Sequence, residues 1–445
     1  MQHEPLLKAA PFSGSRVQPF DGTRRYLSTG DLQEATTSFV EVTYADKPSR
    51  ADISVRTGDV LFARMKGTKK VLEIDRALVD IIVSTGFAVI RPTEHCNGKY
   101  LSIYLKSDDF ERQKEKYCSG AIQPAITNAG IKNLTIPFPP LDDQKRIAHL
   151  LGKVEGLIAQ RKHHLQQLDD LLKSVFLEMF GILDQTYKQW IIDKLATRTE
   201  IVSGVTKGKK YKSEELFEVP YMRVANVQDG YFILDEIKTI SVTQKEINQY
   251  QLQAGDLLLT EGGDPDKLGR GSVWENQVEK CIHQNHIFRV RINERLELNP
   301  YYLSALIGSR YGKSYFLKSA KQTTGIASIN STQLKNFPLI IPPIDLQNQF
   351  AAIVEKVESL KSRYQHSLTD LESLYGALSQ KAFKGELDLS RVVRPVAATT
   401  EDTDSTEGLN RETREQRESL KKADGSRIAT SNPSIKQPIM EGRAR

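Results

Sequence analysis

The chain has little cysteine and no long apolar run. Three cysteines in 445 residues are too few and too scattered for a disulfide framework, which favours a reducing compartment. The sequence contains no stretch of about 18 consecutive apolar residues, and it does not open with a basic segment followed by an apolar run. Neither a membrane span nor a secretion signal is therefore expected, and the composition predicts a soluble, cytoplasmic protein.

Apolar residues are also sparse, at 39% of the chain, beside 27% charged residues. A chain of 445 residues is still long enough for two or three domains with ordinary cores. The formal charge of +6 is mild, so it permits an anionic partner without requiring one.

Complete catalytic motifs are missing as well. The segment NPYY at 299–302 resembles the Asn-Pro-Pro-Tyr motif of amino-methyltransferases, but Tyr301 stands where the motif has its second proline. The glycine-rich segment at 261–271 lacks the Gly-Lys-Ser/Thr ending of a phosphate-binding loop. The pair Pro265–Asp266 could open a nuclease motif, yet no Asp/Glu-x-Lys partner follows it to help hold a metal. We therefore expect no catalytic site and no cofactor in this chain.

Cys281, His283 and His286 lie close together in the segment CIHQNH and could act as soft ligands for zinc. Structural zinc sites have four ligands, and no fourth ligand follows at a usual spacing. The favoured interpretation is a core cysteine with strand or loop histidines, and no metal site is expected.

Two segments carry the same phrase 203 residues apart (from 133 to 336): NLTIPFPPLDDQKRI at 133–147 and NFPLIIPPIDLQNQF at 336–350. Most positions that differ exchange one apolar residue for another. A duplication of this kind predicts an internal repeat in which each phrase marks the same structural boundary. The identical pairs are Asn133/Asn336, Pro139/Pro342, Pro140/Pro343, Asp142/Asp345 and Gln144/Gln347.

After each phrase the apolar residues step by three and four, which is typical of a helix with one apolar face. No proline interrupts either run, and each helix should contain about 40 residues and extend roughly 60 Å. The simplest way to bury both faces is to pack the helices antiparallel as a coiled coil. Two unrelated long helices within one helical domain are the alternative. The predicted seam residues are Ile147, Val154, Leu157, Leu168 and Leu171 in the first helix and Ile353, Val357, Leu360, Leu371 and Leu374 in the second.

The segments that precede the helices contain strand-like runs, turns and basic loops, and they also correspond to each other. A Gly-Asp turn feeds an apolar strand in RTGDVLF at 56–62 and in QAGDLLLT at 253–260. The short helical segment KYLSIYL at 99–105 matches YYLSALI at 301–307. Matching skeletons with different loops predict one scaffold that carries two specificities.

This organisation resembles the DNA-specificity subunits of type I restriction–modification systems over about residues 1–390. The resemblance lies in the domain–helix–domain–helix order, the Pro-Pro-[Leu/Ile]-Asp-x-x-Gln entry to each helix, the Gly-Asp-[Val/Leu]-Leu turns and the segment TTGIASIN at 323–330. It implies an α+β fold with two mixed α/β target-recognition domains, separated by two long antiparallel coiled-coil helices in a pseudo-two-fold internal repeat. The implied division is a first target-recognition domain at 1–138, a central spacer helix at 139–181, a second target-recognition domain at 182–341, a C-terminal spacer helix at 342–390 and a disordered tail at 391–445.

The resemblance also implies a function without catalysis in this chain. Each target-recognition domain would read one half of an interrupted, asymmetric double-stranded DNA sequence. The helices would act as a spacer and as a docking surface for two methyltransferase (modification) subunits. Those subunits would carry S-adenosylmethionine and methylate adenine, while restriction motor subunits, as many as two, would use ATP and cleave DNA in phage defence. The alternative is a coiled-coil adaptor that joins proteins and binds no DNA.

The two halves depart from a strict repeat in two places. The second domain opens with QWIIDKLATRTEIVSG at 189–204, and the first domain shows no equivalent. Either the first domain begins differently or residues from the C-terminal end complete it. The pair Lys145–Arg146 of the first phrase is replaced by Asn348–Gln349 in the second, so docking at the two helices can differ.

Basic and amide side chains cluster in the loops of both domains. Lysine and arginine neutralise phosphates, whereas arginine, asparagine and glutamine can also bond to base edges. For any single residue, a solvated surface charge or a local hydrogen bond remains an open alternative. The small turns at 119–120 and 323–325 could bind phosphate through backbone N–H groups or be purely structural. The predicted DNA-binding residues are Arg16, Gln18, Arg24, Arg25, Arg64, Lys66, Lys69 and Lys70 in the first domain and Lys207, Lys209, Lys210, Lys212, Arg223, Asn226, Lys267, Arg270, Lys321 and Gln322 in the second, with Gln18, Arg25, Arg64, Arg223, Asn226 and Gln322 as base readers.

Overall fold

A computed structural model of the chain folds into two compact units, each described by itself. Unit 1 comprises Met1–Lys153 and the chain from Leu378 onward, and unit 2 comprises Val154–Ala377. The five-segment division stays a prediction, and of the tail proposed at 391–445 only residues 391 and 392 are described. The described residues are 2–33, 37–78, 80–181, 185–211, 215–263, 268–295, 297–323 and 326–392, without the side chains of 321–323 and 326.

Unit 1 is a mixed structure of small sheets and short helices. Its elements are β1 (His3–Pro5), α1 (Leu6–Ala9), β2 (Ser15–Arg16), β3 (Arg24–Leu27), β4 (Val40–Val42), β5 (Ala51–Ser54), β6 (Val60–Ala63), β7 (Val71–Glu73), β8 (Ile82–Ser84), β9 (Phe87–Ile90), α2 (Gly98–Leu105), α3 (Asp108–Lys116), β10 (Cys118–Ser119), β11 (Ala125–Ile126), α4 (Asn128–Ile131), β12 (Thr135–Pro137) and the first part of α5 (Leu141–Met179). The sheets have the orders β2-β5-β8-β3-β4, β7-β6-β9, β1-β12 and β10-β11. The run VLFA of β6 is buried throughout because this strand is central in its sheet.

Unit 2 is likewise a mixed structure of small sheets and short helices. Its elements are β13 (Ile191–Lys194), α6 (Leu195–Arg198), β14 (Thr199–Ser203), β15 (Phe217–Met222), β16 (Lys238–Val242), α7 (Gln244–Tyr250), β17 (Leu257–Thr260), β18 (Gly262–Gly263), β19 (Gly271–Val273), β20 (Ile282–His283), β21 (Ile287–Ile292), α8 (Pro300–Gly308), α9 (Arg310–Ser319), β22 (Lys321–Thr323), β23 (Ile326–Ser328), α10 (Ser331–Lys335), β24 (Pro338–Ile341) and most of α11 (Ile344–Lys384). The sheets have the orders β14-β21-β17-β19, β16-β15-β20, β18-β23-β22 and β13-β24. The α+β fold and its internal repeat are therefore confirmed.

The entry to each long helix is built around the repeated glutamine. Gln144 is buried, accepts a hydrogen bond from the Asn97 N–H (2.8 Å) and donates to the Pro139 carbonyl (2.9 Å). Gln347 is buried too, and it accepts from the Asn299 N–H (2.9 Å) and donates to the Pro342 carbonyl (2.8 Å). A buried amide must satisfy its polar atoms, so the repeated phrase encodes a hydrogen-bonded junction.

The repeated Gly-Asp turns encode a second shared network. The buried Asp59 accepts hydrogen bonds from the Arg91 Nε (2.8 Å) and the Arg56 N–H (2.8 Å). Its counterpart Asp256 accepts from two nitrogens of Arg291, each at 2.7 Å, and from a backbone N–H in its own turn. In both units the pair joins the turn to the neighbouring strand, β9 or β21.

The opening segment of unit 1 corrects one sequence-based expectation. Residues His3–Ala9 form β1 and α1, which are the counterparts of β13 and α6 at the start of unit 2. The Leu6 N–H donates to the Leu134 carbonyl (2.8 Å), and the Leu195 N–H donates to the Phe337 carbonyl (2.9 Å). The first domain therefore does have an equivalent of part of 189–204. The match escaped sequence comparison because its bonds use backbone atoms and do not constrain most side chains.

The two long helices pack antiparallel where both belong to unit 2. Along this span the residue numbers fall on one helix as they rise on the other, which confirms the predicted antiparallel coiled coil. The pairs that fix the direction are Glu155–Tyr375 (3.0 Å), Asp169–Lys361 (2.8 Å) and Phe176–Phe350 (ring centroids 5.4 Å apart). No described helix is both long and apolar enough to cross a membrane.

The seam of the coil differs from the predicted one at four leucines. Leu157, Leu171, Leu360 and Leu374 are 41–49% exposed. Leu157, Leu171 and Leu374 are each followed by a partly buried apolar residue (Ile158, Leu172 and Tyr375), and only one of two neighbours can face the partner helix. Leu360 lies between Ser359 and Lys361, so this explanation does not apply to it. Of the other predicted seam residues, Ile147, Val154 and Val357 are buried, and Leu168, Ile353 and Leu371 are partly buried.

An aromatic side chain near the end of each long helix enters a core. In unit 2, Phe180 packs on Tyr302 (ring centroids 4.6 Å apart) and Phe350 (5.6 Å). In unit 1, Phe383 of α11 packs on Tyr104 (5.0 Å) and Tyr100 (5.8 Å). Phe180 and Phe383 occupy equivalent positions of the sequence repeat, so the helix ends are part of the duplicated core.

Candidate nucleic-acid interface

The loop at 64–70, with the sequence RMKGTKK, connects β6 to β7 and contains no acidic residue. Arg64 is half-buried at its start, where its Nε donates to the Phe87 carbonyl (3.0 Å) and an Nη donates to the Ile126 carbonyl (3.4 Å). Burial lowers the pKa of Arg64 from its usual value. Because no carboxylate pairs with Arg64 in the described structure, its charge is compensated by carbonyl dipoles alone.

A buried ion pair of α3 holds this loop from beneath. Lys114 Nζ donates to the Thr68 carbonyl (2.7 Å) and the Ala63 carbonyl (3.3 Å), and it lies 2.7 Å from Glu111. Glu111 in turn accepts a hydrogen bond from the Gly67 N–H (2.8 Å). Gly67 has a positive φ of 69°, a conformation that glycine adopts without strain. The pair therefore fixes the backbone of the loop. It could not be predicted from the sequence, because the mixed charges of α3 are typical of a solvent-exposed helix.

The lysines of the loop differ in how they are held. Lys69 forms an ion pair with Asp108, and Lys70 Nζ donates to the Thr29 carbonyl (2.7 Å). Lys66 is exposed, and its ammonium has no partner among the described residues. Lys66 is therefore the loop lysine most available to an anionic ligand.

The other predicted residues of the first domain lie on or beside β2 and β3 of the five-stranded sheet. Arg16 pairs with Asp52 (3.1 Å), and Gln18 donates to the Arg16 carbonyl (3.3 Å). Arg24 stacks over Phe20, with 4.6 Å between the guanidinium carbon and the ring centroid, and Arg25 donates to the Ala77 carbonyl (2.8 Å). These residues are exposed or half-buried, and they belong to a different sheet from the 64–70 loop.

In unit 2 the segment after β14 carries Lys207, Lys209 and Lys210. Lys207 and Lys210 are exposed, and Lys209 forms an ion pair with the buried Glu246 (2.7 Å). Burial alone would raise the pKa of Glu246, but hydrogen bonds from Lys209 and Thr243 outweigh it and lower that pKa to about 2. Lys209 is thus anchored, while its two neighbours are open to solvent.

The remaining predicted residues of unit 2 are mostly engaged. Arg223 donates to the Glu236 carbonyl (3.0 Å) and pairs with its carboxylate (3.2 Å), and Arg270 donates weakly to Gln228 (3.4 Å). Asn226 is only 3% exposed, accepts from the Arg223 N–H and donates to two carbonyls. Asn226 therefore has a structural role in this unit, and base reading by its side chain stays a prediction. Lys212, Lys267 and the side chains of Lys321 and Gln322 lie outside the described residues.

At one equivalent position of the backbone, the two units carry side chains of opposite charge. The Ile126 N–H donates to the Arg64 carbonyl (2.9 Å), and in the same way the Ile329 N–H donates to the Glu261 carbonyl (2.9 Å). The carboxylate of Glu261 lies 2.7 Å from the imidazole of His286. A cation in unit 1 thus corresponds to a carboxylate–imidazole pair in unit 2. Arginine suits acceptor-rich base edges and glutamate suits amino groups, so the two surfaces present different chemistry.

The Cys281–His283–His286 segment does not converge on one point. Cys281 and His283 are buried in and beside β20, and the His283 Nδ1 lies 3.0 Å from the Ile287 carbonyl. Burial lowers the pKa of His283 to about 4 and raises that of Cys281 to about 12. In the described part of the chain, no group of three or more His, Cys, Asp or Glu residues is placed to hold a metal ion.

Residues 14–169 and 199–370 match the family model of the type I restriction modification DNA specificity domain, so this chain belongs to that family. Among its relatives are two specificity subunits of type I restriction enzymes. The StySPI subunit of Salmonella potsdam is 23% identical over 349 residues, which cover 74% of each chain. The EcoKI subunit of Escherichia coli K12 is 22% identical over 315 residues, which cover 67% of this chain and 68% of the relative.

The fold is also similar to that of a solved chain from a study of complex assembly and conformational transition in the type I R-M system. The TM-score is 0.52 and the identity 20%, over 87% of this chain and 98% of the other. Together these findings identify a DNA-specificity protein of type I restriction–modification. They do not favour the alternative of an adaptor that binds no DNA.

Proposed function

We propose that this chain is the DNA sequence-specificity subunit of a type I restriction–modification complex, and that units 1 and 2 each bind one part of an interrupted, asymmetric double-stranded target. The proposal is supported by one observation: the two units share the same buried hydrogen-bonded junctions but carry different side chains at equivalent positions outside them. The Gln144 and Gln347 junctions are alike, whereas the equivalent surface positions carry Arg64 and Glu261. Two copies of one scaffold with different surfaces suit a target whose halves differ.

In this proposal affinity and specificity come from different groups. Exposed lysines such as Lys66, Lys207 and Lys210 neutralise phosphates and release counterions, which gives affinity without sequence information. Base edges are contacted by side chains of the loops that carry the predicted base-reading residues. The buried pair of Lys114 and Glu111 prepares the 64–70 loop for DNA, so less conformational entropy is lost on binding.

The long helices serve as a spacer and dock two methyltransferase subunits, with restriction motor subunits, up to two, in the complete assembly. The outward-facing leucines support this role, because Leu157 and Leu360 are equivalent in the repeat, as are Leu171 and Leu374. Repeated exposed apolar residues suit two copies of one partner. S-adenosylmethionine and ATP belong to the partner subunits, and this chain contributes no catalysis. We infer that it works in the cytoplasm.

The two docking sites need not be identical. In unit 1, Arg146 donates to the Leu389 carbonyl (3.2 Å). In unit 2 the corresponding region has Asn348, whose side chain accepts a hydrogen bond from the Asn299 amide (3.0 Å). The helix entries therefore differ in charge, and the two copies of the partner would meet different polar groups.

The proposal is tested by co-expressing the chain with its modification subunit and mapping methylated adenines across the host genome. We expect a two-part motif that disappears when this chain is omitted. A variant in which the lysines of 64–70 are replaced by glutamine should reduce methylation at every copy of the motif without changing the sequence of the motif. A continuous motif, or methylation that is unaffected by omitting the chain, would contradict the proposal.

A further inference from the structure

A short hairpin of unit 1 lies beside the 64–70 loop. Its strands β10 and β11 pair Cys118 with Ile126 and Ser119 with Ala125, which leaves Gly120–Pro124 as the connecting segment. The hairpin is joined to the loop by a bridge between Met65 and Ala125. The Lys66 N–H also donates to the Pro124 carbonyl (2.9 Å). The base of the hairpin is therefore fixed to the loop that Lys114 holds in place.

The tip of this hairpin presents an apolar and an amide side chain to solvent. Ile122 is 94% exposed, and Gln123 is exposed with no side-chain hydrogen bond to any described residue. A single exposed isoleucine is ordinary on a protein surface, but this one stands at the end of a projecting segment. Since nothing in the described unit covers it, an external partner is needed to bury it.

The charges around the hairpin are those of a surface that binds an anion. Lys66 in the adjoining loop, Lys116 just before β10 and Lys132 just after α4 are all exposed. None of the three forms an ion pair with a described residue. An apolar tip on a hairpin whose neighbouring lysines form no ion pair complements a nucleic acid better than it complements a protein core, because lysines can bind phosphates while the tip reaches the bases.

The dimensions of the hairpin favour one groove. Neighbouring strands lie roughly 4.8 Å apart, and the side chains on either side widen the ribbon further. The major groove of B-DNA, about 12 Å wide, admits a two-stranded ribbon, whereas the minor groove, about 6 Å wide, does not. In the major groove an apolar side chain can contact the thymine methyl group, and glutamine can bond to the N6–N7 edge of adenine.

We propose that the Cys118–Ile126 hairpin enters the major groove, where Ile122 packs on the methyl group of a thymine and Gln123 binds the N6–N7 edge of an adenine. The Gln123 amide would donate to N7 and accept from the N6 amino group. This inference rests on the proposed function, because it assigns one half of the DNA target to unit 1. It adds that this half contains adenine and thymine at the hairpin tip.

The equivalent hairpin of unit 2 is not built to make the same contact. Its strands β22 and β23 remain paired as far as Thr323 and Ile326, so only residues 324 and 325 lie between them. The Ile-Gln tip of unit 1 thus has no counterpart of equal length. We therefore expect this contact in only one half of the target.

The experiment uses the full chain in complex with its modification subunit and a DNA duplex that carries the mapped target. Each thymine of the target is replaced in turn by deoxyuridine, which lacks only the methyl group. For the wild-type complex we expect one thymine whose replacement weakens binding about fourfold, as the loss of one buried methyl group would. Ile122→Ala should bind about tenfold more weakly, a change of about 1.4 kcal/mol, and should be insensitive to deoxyuridine at that position.

Two further measurements complete the test. Replacing adenine by 7-deazaadenine removes the N7 acceptor, and it should weaken the wild-type complex at one position but not the Gln123→Ala complex. The control Ile191→Ala makes the same change at a residue of unit 2 that is 65% exposed, and it should keep the wild-type sensitivity to deoxyuridine. Melting temperatures of the three variants equal to that of the wild-type chain would show that the fold is intact.

The inference is overturned if no thymine is sensitive in either half, or if the effects of Ile122→Ala and deoxyuridine multiply independently. An Ile122-dependent rise in 2-aminopurine fluorescence without a deoxyuridine effect would overturn it too, because that would mean insertion between bases. Failure of the proposed function looks different: the wild-type complex would then not distinguish the mapped duplex from one of scrambled sequence.

Discussion

Tyr100 and Tyr302 make the same buried hydrogen bond in the two units. The Tyr100 hydroxyl donates to the Pro137 carbonyl (2.7 Å), and the Tyr302 hydroxyl donates to the Ile340 carbonyl (2.8 Å). Both carbonyls stand just before the Pro-Pro pair that leads into a long helix. Burial raises the pKa of both hydroxyls, so both remain protonated donors. Each tyrosine therefore ties a short helix, α2 or α8, to the strand that enters a long one.

Removing either hydroxyl should destabilise its own unit. We expect Tyr100→Phe and Tyr302→Phe each to lower the free energy of unfolding by about 1 kcal/mol, because each leaves a buried carbonyl without its partner. Limited proteolysis with peptide mapping would assign each loss to one unit. Tyr44→Phe is the control, since Tyr44 is an exposed residue of unit 1. Identical cleavage patterns for the Tyr100 and Tyr302 variants would contradict local effects.

The ion pair under the 64–70 loop should couple stability to DNA affinity. Lys114→Met leaves Glu111 charged and buried without its partner, which should cost about 3 kcal/mol of unfolding free energy. It also frees the loop backbone, so DNA affinity should fall even at temperatures where the variant is folded. Arg112→Met on the same helix removes only an exposed ion pair and should cost less than about 1 kcal/mol. Normal DNA affinity in folded Lys114→Met would show that the loop needs no support.

Phosphate contact by Lys66 predicts a change in salt dependence. In Lys66→Gln, the slope of log K against log salt should become shallower by about 0.9, the value for one phosphate on duplex DNA. The target sequence should stay the same. Lys8→Gln is the control, because Lys8 is exposed in unit 1 but already pairs with Glu4 (2.8 Å). An unchanged slope in Lys66→Gln would remove this lysine from the interface.

The buried His283 predicts a pH-dependent loss of stability in unit 2. Its pKa is about 4 when folded and about 6.5 when unfolded, so the unfolded chain binds the proton more readily between these values. Stability should therefore fall as the pH drops from 6.5 to 4, by up to about 3 kcal/mol. His283→Asn can still donate to the Ile287 carbonyl but does not titrate, so its unfolding free energy should depend less on pH.

Unfolding free energies measured at pH 6.5 and at pH 4.5 would test this prediction. His95→Asn changes an exposed histidine of unit 1 and should behave as the wild type does. If His283→Asn loses as much stability on acidification as the wild-type chain, another group is responsible for the dependence.

The outward-facing leucines should support partner docking. Leu157→Lys together with Leu360→Lys places charges at equivalent positions of the two helices, and we expect less co-purified modification subunit with little change in melting temperature. Leu216→Lys is the control, because this residue of unit 2 is 42% exposed and lies outside the long helices. Full retention of the modification subunit by the double variant would move the docking surface elsewhere.

The repeat, the long helices and the Gly-Asp turns could all be predicted from the sequence, because each depends on side chains. Gln144 and Asp59 must be these residue types, since each satisfies several buried polar atoms. Such residues are identical at equivalent positions of the two copies, so a comparison of the two halves of the sequence finds them. The packing of the two helices followed from apolar periodicity, and their antiparallel direction followed from the duplication. Which leucines face the partner helix could not be predicted, because adjacent apolar residues fit either register.

Contacts that use the backbone could not be predicted in the same way. The β1–α1 segment at the start of unit 1 is held by bonds such as Leu6 N–H to Leu134 carbonyl, which accept many sequences. Asn226 was predicted to read a base because an amide side chain can form bidentate hydrogen bonds, yet it donates within the fold to the Ile233 and Glu236 carbonyls, which lie 7 and 10 residues further along the chain. The support by Lys114 depends on which side of α3 faces the loop. A pattern of mixed charges does not reveal that.

The equivalence of Arg64 and Glu261 also bears on how new specificities arise. The backbone hydrogen bond at this position uses the carbonyl oxygen of either residue, so the bond itself does not depend on the side chain. A substitution here therefore keeps that bond, and its cost is limited to the bonds that the side chain makes, such as those of Arg64 to the Phe87 and Ile126 carbonyls. Under the proposed function, a lineage could then change its target one half at a time, while the partner subunits continue to bind an unchanged scaffold.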